Sequence, residues 1–503
     1  MRAQWFLGAV SICWMGFVSI ANAEVKLPKI FSNSMVLQRD RAVPVWGWDN
    51  PSTEVTVSIG EASAKAKADA AGKWTVQLPA MKAGGPHIVK VEGSSKVEFS
   101  DVLFGEVWLC SGQSNMEWTV NSSLNPKEET AAAKYPTIRH IKIPLVPADK
   151  PQTDVKSGSW QVCSPTTAGN FTAVGYFFAV NLQKELNVPV GLIGSNWGGT
   201  RIEPWTNPEG FNSVPALSDI SSKLSTFPAK NAQGVVANQS PLALYNGMIA
   251  PLVPYAIRGA LWYQGESNNG EGMLYFEKKK ALINGWRKVW NDEVMPFYFV
   301  QLAPYDYNRA MVDGKPASSG LPGIWEAQTA TLKIPYTGMA VTTDISNLKD
   351  IHPKNKQDVG KRLALWALAN TYGKSDLVYS GPLYKSMKVS GDKIELEFNH
   401  VGGGLVSRDG KPLSFFTIAG EDKKFVDAKA VVVDKSIIVS AEGRHRRRKI
   451  AYHRVVVGES IIVSAEGVTN PVSVRFGWHE EAEPNLSNKE GLPASPFRTD
   501  DWK

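Results

Sequence analysis

The chain has 503 residues, of which 43% are hydrophobic and 20% charged, which predicts roughly two to four globular domains. This composition excludes a low-complexity or intrinsically disordered protein. The formal net charge is +7, but the short run RHRRRK at 444–449 holds five of the basic residues. One local basic run is typical of a solvated loop, so no nucleic-acid partner is predicted.

Residues 1–23 predict an export signal peptide. Arg2 provides a positive start, an apolar stretch follows at 5–20, and small residues at 21–23 form a cleavage site. The mature chain is then expected to begin at Glu24 and to be periplasmic or secreted. No later run approaches the roughly 20 apolar residues of a membrane span, so no membrane anchor is predicted.

Two cysteines remain after removal of the signal peptide, Cys110 and Cys163. An oxidising compartment permits a disulfide between them, but Cys110 falls in a predicted core strand and is equally consistent with a buried free thiol. No cysteine and histidine spacing matches a zinc site, so no metal is predicted.

Residues 24–102 predict an N-terminal β-sandwich domain, because short runs such as EVTVSIG and KWTVQL alternate in polarity between turn residues. From 103 to 375 apolar strands alternate with amphipathic helices, which predicts an α/β domain with a mostly parallel sheet covered on both faces. The predicted strands are 105–110, 188–194, 257–263, 295–303 and 338–343, and the predicted helices are 173–187, 274–290 and 355–373.

Residues 376–480 predict a C-terminal β domain, followed by a tail at 481–503. This domain contains a repeat, because VVVDKSIIVSAEG at 431–443 returns as VVVGESIIVSAEG at 455–467. Two copies are too few for a solenoid, so a local duplication is predicted, with one copy in a strand and the other looped out.

Polar clusters follow four of the predicted parallel strands. They are SGQSN at 111–115, SNWGGTR at 195–201, QGESNN at 264–269 and DISNLKDIHP at 344–353. Because the carboxyl ends of parallel strands share one edge of a sheet, we expect the four clusters to form one pocket there.

The residue types in these clusters favour acyl transfer. Ser114 is the candidate nucleophile, and His352 is the only histidine in such a cluster and the candidate general base. A carboxylate is expected to orient the imidazole, and Asp350 and Glu266 are both candidates, with Asp344 a weaker third.

An oxyanion hole is predicted from the backbone N–H of Ser114, a second N–H at Gly198 or Gly199, and the side-chain amide of Gln264. The glycine pair is equally typical of a plain turn. Asn115 is predicted to bind substrate.

Arg201 is a second predicted substrate-binding residue. It is expected either to hold an anionic group of the substrate or to pair with Glu203.

The blocks GQSNM, NWGGT, WYQGESN and DIHPKNKQDVG, with NKEGLPASPFRTD near the end, resemble the sialate O-acetylesterase branch of the SGNH-type hydrolases. The resemblance implies a flavodoxin-like three-layer α/β/α domain with flanking β-sandwich domains. It implies a serine esterase that removes acetyl groups from sugars, classically O-acetylated sialic acid, without a cofactor. Ser114 and His352 would be nucleophile and base, and Gly199 and Gln264 would contribute to the oxyanion hole.

The chain departs from that pattern at Lys349, where many SGNH hydrolases carry an aspartate three residues before the histidine. This departure favours Glu266 over Asp350 as the carboxylate that orients His352, because related acetyl xylan esterases use an acid of the Glu266 type. The alternatives that stay open are an esterase for acetyl xylan or another polysaccharide, a non-catalytic carbohydrate-binding protein and, less favoured, a glycosidase using Glu266 and Asp350. No oligomeric state is predicted.

Overall fold

The computed structural model describes residues 24–307, 311–312, 315–316, 320–437 and 455–502. The predicted export signal at 1–23 and the basic run at 444–449 lie outside these residues. None of the helices within the described ranges combines the length and the apolar character that crossing a membrane requires.

The N-terminal part of the chain is built mostly from antiparallel strands around an apolar core. The strands are β1 (Val36–Gln38), β2 (Val43–Trp48), β3 (Glu54–Ile59), β4 (Ala62–Lys67), β5 (Lys73–Leu78), β6 (Gly84–Glu92) and β7 (Lys96–Gly112). Strands β2 and β5 pair with each other, whereas β3 pairs with β4 and β6. Strand β1 is parallel to its partner β7. Burial alternates along β3 and β5, as expected for strands with one face on a core.

A parallel sheet forms the centre of the molecule. Its further strands are β8 (Ile138–Lys142), β9 (Gln161–Val162), β10 (Val190–Asn196), β11 (Gly259–Tyr263), β12 (Phe297–Val300) and β15 (Thr337–Ala340), and a hairpin of β13 (Met311–Val312) and β14 (Lys315–Pro316) lies outside it. The strand order is β15-β12-β11-β7-β10-β8-β9, and only the edge strand β9 is antiparallel to its neighbour.

Strand β7 belongs to both the N-terminal sheet and the central sheet. Its first half pairs with β6, and residues 103–105 also pair with β1. Residues 106–112 then lie between β10 and β11. The predicted boundary between residues 102 and 103 therefore falls inside one continuous strand.

Helices cover both faces of the central sheet. They are α1 (Ser114–Glu117), α2 (Pro126–Ala132), α3 (Ala173–Leu186), α4 (Pro208–Asn212), α5 (Ser218–Ser221), α6 (Leu274–Trp290), α7 (Leu321–Ala330) and α8 (Lys356–Asn370). On one face Trp108 of β7 packs against Phe178 of α3, with ring centroids 5.0 Å apart. On the other face Trp262 of β11 packs against Trp286 of α6 at 5.8 Å. These layers confirm the predicted α/β/α fold class.

The C-terminal part is a second group of β-sheets. Its strands are β16 (Leu383–Ser390), β17 (Lys393–Asn399), β18 (Leu405–Ser407), β19 (Phe416–Gly420), β20 (Phe425–Asp427), β21 (Lys429–Ile437), β22 (Val455–Ser464), β23 (Pro471–Phe476), β24 (Leu486–Asn488) and β25 (Phe497–Arg498). Strand β21 contains residues 431–437 of the first copy of the repeat, and β22 contains residues 455–464 of the second. The two strands pair antiparallel, with Val431 opposite Ile462. The expectation of one looped-out copy is wrong, because both copies supply a strand.

The tail from residue 481 onward packs against the rest of the protein. The amide of Gln301 donates to the hydroxyl of Ser495 at 2.9 Å, and Arg498 forms an ion pair with Glu326 of α7 at 2.9 Å. The end of the chain is thus attached to the α/β layer.

Cys110 and Cys163 are both buried free thiols in this structure. Burial raises the pKa of both, that of Cys163 to about 11, so both are protonated at neutral pH. The free-thiol alternative of the sequence analysis is therefore the one that the fold adopts.

Candidate active site

The turn after β7 explains why a glycine precedes the predicted nucleophile. Gly112 has a φ of +132°, and a Cβ atom there would lie 2.2 Å from the carbonyl oxygen of Tyr263 in β11. The next residue, Gln113, donates its backbone N–H to that same carbonyl oxygen at 2.9 Å. Only glycine allows this close approach, and the chain then enters α1 with Ser114 as its first residue.

Ser114 and His352 meet at the carboxyl edge of the sheet. The Oγ atom of Ser114 lies 2.9 Å from Nε2 of His352, although the two residues are 238 positions apart in the chain. The indole of Trp118 stacks on the imidazole of His352, with ring centroids 4.6 Å apart and an interplanar angle of 11°. The imidazole is therefore held on one side by an aromatic ring while its Nε2 atom faces the serine.

Asp350 is the carboxylate that contacts His352. Its Oδ1 atom lies 3.3 Å from Nδ1 of the imidazole and accepts the backbone N–H of His352 at 2.9 Å. Glu266 instead accepts a hydrogen bond from the side chain of Asn115 at 2.6 Å. Asp344, the third candidate, forms a bidentate ion pair with Arg362 at 2.7 and 2.6 Å. Of the three acids, Asp350 alone is in contact with the imidazole.

The environment of His352 favours its neutral form. Burial lowers the pKa of the imidazole, Asp350 opposes this effect, and the positive charge of Lys356 adds to the lowering. The net shift is downward, so the imidazole is neutral and able to accept a proton at neutral pH.

The glycine pair lies beside Ser114. A Cβ atom on Gly198 would be 3.3 Å from Cβ of Ser114, and the Gly198 N–H donates to Glu117 at 2.7 Å. Gly199 has a φ of +72°, and its N–H has no hydrogen-bond partner among the described residues. Of the two glycine N–H groups predicted to donate to the oxyanion, only that of Gly199 is therefore not already bonded within the described part of the chain.

Gln264 is oriented differently from its predicted oxyanion role. Its side chain is fully buried, and its amide nitrogen donates to the carbonyl of Thr200 at 3.2 Å and to Asn268 at 2.7 Å. Its side-chain oxygen accepts from the hydroxyl of Tyr275 at 2.8 Å. Because its amide protons are used inside the protein, Gln264 supports the loop that carries the glycine pair.

Arg201 is engaged by carboxylates of the protein. It forms ion pairs with Glu203, at 3.0 Å, and with Glu271, and it donates to the carbonyl of Ser267 at 3.1 Å. Lys278 completes the cluster, at 2.7 Å from Glu203 and 2.8 Å from Glu271. This geometry corresponds to the pairing alternative, with two cations balancing two carboxylates.

Asn115 also differs from its predicted substrate-binding role. The residue is 1% exposed, and its amide nitrogen donates to Glu266 at 2.6 Å and to the carbonyl of Ile351 at 3.0 Å. Its side-chain oxygen accepts from Nζ of Lys356 at 2.5 Å. Sequence reasoning missed Lys356 and Trp118 as site residues, although Lys356 lies in the block DIHPKNKQDVG and Trp118 lies two residues after the block GQSNM.

A serine, an imidazole and a carboxylate in sequential contact can activate a hydroxyl group for attack on an ester. In the described parts of the chain, no three or more histidine, cysteine, aspartate or glutamate side chains are grouped so that they could hold a metal ion. The fold and these contacts place the chain among the α/β esterases.

Comparison with known proteins defines the family. Residues 104–369 match the family model described as carbohydrate esterase, sialic acid-specific acetylesterase. The human sialate O-acetylesterase is 34% identical over 72% of this chain and 74% of its own length, and the mouse protein is 32% identical over 71% and 75%. A carbohydrate acetylesterase from Xanthomonas citri is similar in structure, with a TM-score of 0.82, 38% identity and coverage of 95% of this chain and 100% of that chain.

The chain belongs to the sialic acid-specific acetylesterase family of carbohydrate esterases. It is an esterase, and the chemistry of this family is the removal of O-acetyl groups from sugars. The resemblance found in the sequence motifs is thereby confirmed.

Proposed function

We propose that this protein hydrolyses O-acetyl esters of sugars with Ser114 as nucleophile and His352 as general base. The observation that carries the proposal is the 2.9 Å contact between Oγ of Ser114 and Nε2 of His352. The contact of Asp350 with Nδ1 supports it, because a carboxylate there favours the tautomer whose Nε2 accepts a proton.

The proposed reaction has two steps. Oγ of Ser114 attacks the acetyl carbonyl carbon while its proton moves to Nε2 of His352, and the same proton passes to the sugar oxygen as its bond to the carbonyl carbon breaks. Water then attacks the acetyl-serine, giving its proton to His352. Acetate leaves, and the proton on His352 returns to the serine oxygen.

We assign the oxyanion hole to the backbone N–H groups of Ser114 and Gly199. The free N–H of Gly199 and the position of the glycine pair beside Ser114 support this assignment. Removal of one oxyanion donor typically costs about 10²- to 10³-fold in turnover.

The substrate that we propose is O-acetylated sialic acid, because the curated relatives are sialate O-acetylesterases. Acetyl xylan or another acetylated polysaccharide is the second candidate. A neutral acetylated polysaccharide is favoured by the ion pairs of Arg201 with Glu203 and Glu271. Because of these ion pairs, Arg201 is already engaged and does not offer a free positive charge to an anionic sugar. Acetate release from both substrates, measured side by side at equal acetyl concentration, distinguishes the candidates.

The nucleophile is tested with Ser114→Ala. We expect at least about 10³-fold slower acetate release from an activated acetyl ester, since loss of a catalytic serine removes the covalent route. Ser122→Ala, on the turn after the same helix, serves as the matched control and should retain wild-type activity. A Ser114→Ala variant as active as the wild type would refute the mechanism.

We also propose export of the protein, directed by residues 1–23. Positive, apolar and small-residue regions in that order support the proposal. Expression of the full chain followed by cell fractionation and N-terminal sequencing tests it, with a mature terminus at Glu24 expected. Retention in the cytoplasm with residues 1–23 intact would contradict it.

A further inference from the structure

A buried hydrogen-bonded network connects the serine turn with the histidine loop. Asn115 follows Ser114 directly, Lys356 is the first residue of α8, and Glu266 comes from the turn after β11. Asn115 lies at the centre, because its nitrogen donates to Glu266 and to the carbonyl of Ile351 while its oxygen accepts from Lys356. Ile351 directly precedes His352, so one amide side chain contacts the polypeptide segments on both sides of the reactive pair.

The network is costly to bury. Lys356 is 0% exposed, Asn115 is 1% exposed, and Oε2 of Glu266 is a buried oxygen without a hydrogen-bond partner in the described part of the chain. Nζ of Lys356 also lies 5.2 Å from the ring centroid of Tyr263, which provides a cation–π contact. Buried charges destabilise a fold unless they are well paired, so apolar residues would serve a purely structural purpose better.

We propose that Asn115 and Lys356 are positioning residues that hold Ser114 and His352 at reacting distance. This inference rests on the proposed function. Asn115 fixes the serine turn to the carbonyl of Ile351, and Lys356 fixes the orientation of the Asn115 amide. Glu266 accepts the second N–H of that amide and balances the charge of Lys356.

The same network acts on the imidazole through its charge. Lys356 lowers the pKa of His352, whereas Asp350 raises it. Burial lowers the pKa of Lys356 to about 7, and the negative charges of Glu266 and Asp350 oppose that shift. Desolvation raises the pKa of Glu266. Removal of the lysine charge should therefore raise the pKa of His352, an effect that a purely structural residue would not have.

Lys356→Met and Asn115→Leu test the proposal. Lys354→Met is the control, because Lys354 is an exposed lysine in the loop that leads into α8, two residues before Lys356. We expect both network variants to lose about 10- to 100-fold in kcat with KM within about 3-fold of wild type, since a misplacement of 1 Å can cost 10²-fold. The midpoint of the acid limb of the kcat/KM profile should rise in Lys356→Met. The control should match the wild type in all three quantities.

A second lysine variant keeps the test decisive if Lys356→Met does not fold. Lys356→Gln removes the charge but keeps a donor for Asn115, so we expect a smaller loss in kcat and the same upward shift of the acid limb. Folded Asn115→Leu and Lys356→Gln proteins with wild-type kcat and an unmoved acid limb would overturn the proposal. If Ser114→Ala is inactive in the same assay, the proposed function survives that result, whereas an active Ser114→Ala overturns the proposed function itself.

Discussion

One oxygen atom of Asp350 contacts His352 twice, at 2.9 Å from its backbone nitrogen and 3.3 Å from its ring Nδ1. The loop and the imidazole are thus oriented by the same carboxylate. Because the Asp350 side chain is 39% exposed, water weakens this interaction relative to a fully buried aspartate–histidine pair.

Asp350→Asn should lower kcat by about 10²- to 10³-fold, less than the roughly 10⁴-fold loss known for a buried triad aspartate. The matched variant Glu266→Gln keeps an oxygen that can accept from Asn115, so we expect it to lose less than about 10-fold. Steady-state kinetics of the two variants on one acetyl ester compare the acids directly. The reverse order of losses would make Glu266 the orienting acid.

The lowered pKa of His352 predicts the pH dependence of the reaction. As the proposed general base, His352 must be neutral, so we expect kcat/KM to rise with pH through the lowered pKa and to level off above it. We therefore expect the acid-limb midpoint below the usual histidine pKa of about 6.5. A pH profile measured at constant ionic strength provides the value, and a midpoint above 7 would contradict the burial argument.

Trp118→Leu removes the ring that stacks on His352. Aromatic pairs contribute about 0.5 to 1.5 kcal/mol, so we expect kcat to fall by roughly 2- to 13-fold as the imidazole gains rotational freedom. Trp502→Leu is the control, since Trp502 packs on Phe425 in the C-terminal sheets. Equal kcat for Trp118→Leu and the wild type would mean that the loop alone orients the imidazole.

Two glycines of the site should respond differently to an added methyl group. At Gly112 the new Cβ would meet the carbonyl oxygen of Tyr263 at 2.2 Å, whereas at Gly199 no described atom lies within 4 Å of it. Gly112→Ala should destabilise the fold and abolish activity. Gly199→Ala should fold, with a free energy of unfolding lower by roughly 1 kcal/mol because alanine is strained at a positive φ. Thermal unfolding and kcat of both variants provide the comparison.

The buried imidazole of His140 should make the free energy of unfolding fall as the pH is lowered. Its imidazole is buried against Phe171, and burial lowers its pKa to about 3. The unfolded chain binds this proton below about pH 6.5 and the folded chain only near pH 3, so acidification through that window favours unfolding. Between pH 7 and 5 the effect should be about 2 kcal/mol.

Urea unfolding of the wild type and His140→Leu at pH 7 and pH 5 measures this contribution. The free energy of unfolding should change less with pH in His140→Leu, and His479→Leu, at an exposed position, should behave like the wild type. The same pH dependence in wild type and His140→Leu would assign the acid sensitivity to other groups.

The meeting of Ser114 and His352 was predictable because it follows from a general property of parallel sheets, the common edge of their carboxyl ends. The hydrogen-bond and ion-pair partners of Asn115, Gln264 and Arg201 could not be predicted, because they depend on the paths of loops that the sequence pattern does not define. Two of the elements that escaped prediction did so for local reasons. Strand β8 contains Arg139 and His140 among its five residues, and the first turn of α7 contains Pro322 and Gly323, which obscure a helical pattern.

The continuity of β7 gives the N-terminal sheet a part in placing the serine. A slip of β7 by one residue would move Ser114 by about 3.3 Å and reverse the facing of every side chain along the strand. Pairing with β1 and β6 resists such a slip from outside the α/β layer. The N-terminal sheet therefore fixes the register of the strand that positions Ser114. An α/β domain expressed without this sheet would lose the pairing that holds its own central strand in place.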